Sequence, residues 1–158
     1  MHPYAVPETI RARVIRVQCK PFALDSIDAA RRLKLLSSDN EGFKLYAALE
    51  PKPDDLYVRK IKFSAMIGDS SDLDRVLRDN GIEILLVAGT KTNVCCESTA
   101  RDASMMEYRV ALLSDATATS TDEEYAASLN GFQISFGDVM TVVEATERLV
   151  AAEKRSAA

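Results

Sequence analysis

One run constrains this chain more than any other. Ile82 to Ala88 reads IEILLVA, with one charge in its whole length. A strand that apolar needs cover on both faces, as in a parallel sheet flanked by helices. Gly89 turns the chain, and from Asn93 to about Glu107 the pattern becomes helical. Cys96, Ala100 and Ala103 are small residues that allow close packing on a sheet.

The same β-then-α rhythm runs from about Asp54 onward. Leu56-Tyr57-Val58 predicts a short strand ending in the basic cluster Arg59, Lys60, Lys62. Ser71 to Asn80 predicts a helix, with Ser71 as cap, Asp72 and Asp74 at its positive end and Gly81 as its stop. Tyr108 to Leu113, YRVALL, predicts the next strand. Thr121-Asp-Glu-Glu124 is a capping box opening a helix that is expected to close near Asn130-Gly131. Phe132 to Phe136 is then a last short strand, and Thr141-Val-Val-Glu144 a second capping box opening the C-terminal helix. Earlier in the chain, Arg13 to Gln18 alternates like a strand with one wet face. Residues 28–36 suit a helix and 37–42 a loop.

At 158 residues, 47% apolar and 28% charged, the chain suits one soluble domain over 1–158. Residues 1–40 read as an irregular N-terminal arm and 41–150 as the core. A net charge of −4 argues against nucleic acid or an anionic membrane as partner. No run has the length of a transmembrane helix, and MHPYAVPETI lacks the apolar core of a signal peptide. Three cysteines without a disulfide framework point to a reducing, cytoplasmic setting. The only histidine is His2 and no Cys-x-x-Cys occurs, so neither a metal site nor a cysteine–histidine arrangement is expected. No cofactor motif of the G-x-G-x-x-G or Walker kind is present either.

Cys95 falls after the most apolar strand, at the mouth of a helix, where ligands sit in open α/β sheets. Helix N-terminal amides stabilise a thiolate, and a nearby ammonium does so further. Cys96 lies about 100° further round the helix and should face the sheet. Spacing alone leaves open whether Cys95 is a nucleophile or a buried filler. Lys60 and Lys62 share one face of a strand, so alternation does not choose between them. Asp69, Asp102 and Asp115 stand near element ends, where carboxylates serve as caps or solvated charges.

Gly89 to Ala103, GTKTNVCCESTARDA, resembles the nucleophile segment of the isochorismatase-like cysteine hydrolases. KIKFSAM, from Lys60, and YRVALLSDATA, from Tyr108, fit the same family, and the resemblance covers roughly Glu41 to Arg148. It is to the branch of ureidoacrylate, biuret and N-carbamoyl amidohydrolases. The implied fold is a three-layer α/β/α, Rossmann-like arrangement around a mainly parallel six-stranded sheet, in a homo-oligomer. The implied chemistry is hydrolysis of a small ureido or carbamoyl amide through a thioester, with no cofactor and no metal. The family's Cys–Lys–Asp triad maps Cys95 as nucleophile and Lys60, four places before Ser64, as the lysine. The resemblance also implies a cis peptide at Thr90–Lys91. Its purpose would be to aim the backbone N–H groups of Lys91 and Cys95 at a developing oxyanion.

The third triad member belongs to a first-strand motif close to V-V-D-M-Q, which this sequence does not show. After PFALDSIDAAR the chain passes directly to RLKLLSSDNEGF, so it reads as lacking two central strands through an internal deletion. Asp25 or Asp28 could substitute only if Arg13 to Gln18 moved into the gap. Two functions follow: a cysteine amidohydrolase, or a catalytically impaired remnant acting as an oligomeric binding or scaffold subunit.

Overall fold

The computed structural model of the chain describes residues 15–19 and 44–156. The helix expected over 28–36, the loop over 37–42, His2, Asp25 and Asp28 lie outside them. Contacts divide the chain into two units, one over Arg13–Ile82 and one carrying Glu83–Ala158.

In the first unit, β1 (Ile15–Cys19) pairs in parallel with β2 (Leu56–Lys60), from Ile15 opposite Leu56 to Cys19 opposite Lys60. Of the alternating Arg13 to Gln18 segment, the described residues Ile15 to Gln18 are thus in a strand, which runs on to Cys19. On β2, Tyr57 and Arg59 are exposed while Val58 and Lys60 are buried, the period of two that a pleated strand imposes. Helix α1 (Leu73–Asp79) buries Leu73 and Leu77, one turn apart. The Ser71 hydroxyl accepts the Leu73 N–H at 3.2 Å, and Asp74 pairs with Arg78 across the exposed face.

The second unit alternates strand and helix. It runs β3 (Ile84–Thr90), a turn over Thr92–Cys96, α2 (Glu97–Met105), β4 (Arg109–Ala118), α3 (Asp122–Ser135), β5 (Asp138–Met140) and α4 (Val142–Ser156). The strands hydrogen-bond in the order β3-β4-β5, all parallel. β4 lies in the middle and buries Val110, Ala111, Leu112 and Leu113 in succession. Ala111 and Leu113 pack with Met140 and Ala145, while Ala100, Ala103 and Phe132 are fully buried.

The fold is α/β with parallel pairing in every described ladder. Its described strands form two separate ladders, β1–β2 and β3–β4–β5, rather than one six-stranded sheet.

Two expectations are corrected. The apolar run at Ile82 to Ala88 is not covered on both faces: along β3, Ile84, Leu86 and Ala88 on one face are exposed, while Leu85 and Val87 on the other are half-buried. Ile84 remains 48% and Leu86 39% exposed. Nor does a strand form at Phe132 to Phe136: α3 runs through Asn130-Gly131 to Ser135. A helical glycine costs only about 1 kcal/mol relative to alanine. Continuing the helix buries Phe132 one turn after Ser128, worth about 1.5–3 kcal/mol for such a side chain. Gly131 lies beside Arg101, whose guanidinium would stand 3.6 Å from an added Cβ and whose charge sits 4.2 Å over the Phe136 ring.

Candidate active site

The mouth of β3 is built in three steps. Gly89 has φ +123°, a backbone state that side chains with a Cβ rarely adopt. The Thr90–Lys91 peptide is cis. Thr92–Cys96 then forms a widened π-helical turn, closed by the Cys96 N–H donating to the Lys91 carbonyl five residues back at 3.2 Å. Helix α2 follows at Glu97. Cys95 therefore sits in the turn ahead of the α-helix rather than within its first residues.

The two cysteines differ as their rotation around the axis requires. Cys96 is buried, and Cys95 is half-buried. Neither is in a disulfide. The Thr99 hydroxyl donates to the Cys95 carbonyl at 2.7 Å, fixing the backbone at that residue.

The residues just before Cys95 split by side. Thr92 is fully buried, and its hydroxyl has no hydrogen-bond partner among the described residues. Lys91 and Asn93 instead reach the loop that leaves β4. The Lys91 Nζ donates to the Ser120 Oγ at 2.5 Å, and the Thr119 Oγ donates to the Asn93 Oδ1 at 2.5 Å. That loop is anchored in turn by the N-cap of α3, where the Glu124 N–H donates to the Thr121 Oγ at 3.2 Å.

Sequence reasoning missed Asn93, Thr119 and Ser120. The one available signal was the polar run Thr119-Ser-Thr121 ahead of the expected α3 capping box; it directly follows β4, which extends five residues beyond the expected strand end at Leu113.

Lys60 belongs to the other unit. It is buried, and two of its three N–H donors go to the backbone carbonyls of Lys62 at 2.9 Å and Phe63 at 2.8 Å. Ser64 is buried there too, and its hydroxyl accepts the Met66 N–H at 3.1 Å. Lys62, which alternation could not separate from Lys60, is half-buried and binds both oxygens of Asp69 at 2.8–2.9 Å. That hydrogen bond and the lysine charge hold the Asp69 carboxyl below its ordinary value. Asp115 accepts the Val142 N–H at 2.8 Å, a cap on α4.

Among the described residues no group of three metal-binding side chains occurs, and no helix is long and apolar enough to cross a membrane.

A family model described as Isochorismatase domain matches residues 11–144. The match starts ahead of β1, well before the Glu41 from which the motifs alone carried the resemblance. The chain is 38% identical over 128 residues to the ureidoacrylate amidohydrolase RutB of Caulobacter vibrioides, covering 79% of this chain and 56% of that protein. It thus spans little more than half the length of that relative.

Among solved structures, it is similar to a cysteine hydrolase from Pseudomonas syringae pv. phaseolicola. The TM-score is 0.76 and the identity 30%, covering 89% of this chain and 73% of that one. An isochorismatase-like hydrolase from Alkaliphilus metalliredigens is similar at TM-score 0.75 and 32% identity, over 86% of this chain and 72% of that one.

Proposed function

This chain belongs to the isochorismatase family, and on that premise we propose that it hydrolyses a C–N bond in a small ureido or carbamoyl amide, with Cys95 as nucleophile. The observation that carries this is the half-buried Cys95 in the turn that leaves β3 and opens helix α2.

In the proposed reaction the Cys95 sulfur forms a bond to the substrate carbonyl carbon. The backbone N–H groups of Lys91 and Cys95 receive the developing oxyanion. The C–N bond then breaks, and the amine leaves with the proton that the thiol gave up. Water adds to the thioester, the C–S bond breaks, and the thiol is restored with release of the acid.

Lys60 is proposed as the lysine of the family's triad; it is buried, and its ammonium donates to two backbone carbonyls. Assembly into a homo-oligomer is part of the same proposal. The substrate class is supported by similarity to ureidoacrylate amidohydrolases.

The family carboxylate that would pass the proton from thiol to leaving amine has no assigned counterpart in this chain. General acid–base catalysis typically contributes about 10²–10⁴-fold in rate. Turnover is therefore expected to be slow, by about that factor relative to a full triad.

A second proposal, an impaired binding or scaffold subunit, is favoured by the exposed apolar residues of β3, Ile84 and Leu86. Release of ammonia or amine from ureidoacrylate and simple ureido amides separates the two. Turnover lost in Cys95→Ala supports the hydrolase. Binding of those compounds without any turnover supports the subunit.

A further inference from the structure

We propose that Asn93 and Thr119 are positioning residues that hold the Cys95 turn in place through their mutual hydrogen bond. The proposal rests on the assignment of Cys95 as nucleophile and adds two residues outside the mapped triad and oxyanion amides.

The β4 strand carries this role. Its regular ladder with β3 breaks after Leu112, opposite Val87, and resumes with Thr117 opposite Gly89 and Ala118 opposite Thr90. The end of β4 therefore runs beside the two residues that precede the Lys91 amide. The next two residues, Thr119 and Ser120, continue that contact with side chains, to Asn93 and Lys91 respectively.

Backbone pairing fixes the turn on one side of the cis bond and side-chain hydrogen bonds fix it on the other. The Thr119 hydroxyl has one proton to give. Asn93 takes it at 2.5 Å, while the Glu124 Oε2 stands at 3.5 Å.

The two side-chain links are not equal. The Thr119–Asn93 bond is partly buried, whereas the Lys91–Ser120 bond is exposed and competes with water. Losing the first should let Asn93, two residues before the sulfur, leave its place. Losing the second should do little. A net hydrogen bond of about 0.5–1.5 kcal/mol corresponds to roughly two- to tenfold in a rate that depends on the held geometry.

The experiment compares Thr119→Val, Thr119→Ser, Asn93→Ala and Ser120→Ala with the parent protein. The rate of iodoacetamide labelling at Cys95 is resolved by peptide mass spectrometry, with kcat and KM for ureido amide hydrolysis measured alongside.

Thr119→Val and Asn93→Ala are expected to label Cys95 about three- to tenfold more slowly, and to lose kcat with KM little changed. Thr119→Ser should restore both values, and Ser120→Ala should stay within about twofold of the parent.

Unchanged labelling in Thr119→Val overturns the proposal. So does faster labelling, which mere loosening and exposure of the thiol would produce, and so does a failure of serine to rescue. If Thr119→Val misfolds, Asn93→Ala decides on the same readings.

Hydrolysis that survives Cys95→Ala contradicts the nucleophile assignment instead, and the labelling rates then still decide whether Asn93 and Thr119 hold the turn.

Discussion

Single residues set what the cysteine segment can be. Cys95 and Cys96 are neighbours in sequence, yet one is half-buried and the other buried, because a helical turn separates them by about 100°. That split was legible in the sequence, since it follows from periodicity alone. The burial of Lys60 was not legible, since alternation along the strand could not separate it from Lys62. Which carbonyls receive its ammonium depends on how the chain bends at Lys62 and Phe63, which no local rule supplies.

Glycines show the same limit. Nothing in the sequence singles out Gly137, yet a Cβ there would come within 2.3 Å of the Val110 carbonyl oxygen and 3.0 Å of the Phe132 ring. Gly137→Ala is therefore expected to destabilise the protein by about 1–3 kcal/mol through forced backbone and ring shifts. A thermal unfolding midpoint equal to that of the parent would contradict this.

At the level of elements, local signals served well where partners lie within one turn. Both capping boxes open helices. At Thr141 the exchange is complete: the Glu144 N–H donates to the Thr141 hydroxyl at 3.2 Å, and the Thr141 N–H donates to the Glu144 carboxylate at 2.7 Å. The amide hydrogen bond, then the Thr141 hydroxyl and Arg148, hold the Glu144 carboxyl below the usual glutamate value.

A carboxyl lowered in the folded state stabilises the fold above its unfolded pKa, and that contribution is lost as pH falls through the folded value. The thermal midpoints of the parent and Glu144→Gln should thus differ at neutral pH and converge in acid. A constant gap would show that the carboxylate charge is not what matters.

Elsewhere the local signal was overridden. Asn130-Gly131 looks like a helix stop, but burial of Phe132 at the i+4 position from Ser128 carries α3 onward. Phe132→Ala is expected to cost about 3–5 kcal/mol, as other fully buried phenylalanines do. A loss under about 1 kcal/mol in denaturant unfolding would mean that the site collapses freely.

Across the whole molecule, hydrophobicity did not rank the strands by burial. The most apolar run became β3, at the end of its ladder, while the milder YRVALL run became the central β4. Strand order is set by crossover topology, to which composition is blind. The α/β class and the parallel pairing were legible, because alternating strand and helix permits little else. The positioning contacts around the cysteine turn were not, since Asn93 and Thr119 are 26 residues apart and meet only when β3 and β4 pair.

The proposed chemistry assigns Cys95 as nucleophile and, by the family's triad, Lys60 as the lysine, so the central test is one of coupling. Ammonia or amine release from ureidoacrylate would be measured for the parent, Cys95→Ala, Lys60→Ala and the double variant. If the two act as one catalytic group, each single variant falls to the uncatalysed rate and the double variant falls no further. Hydrolysis that persists in Cys95→Ala, or losses from the two substitutions that simply add, would contradict a joint role for these residues.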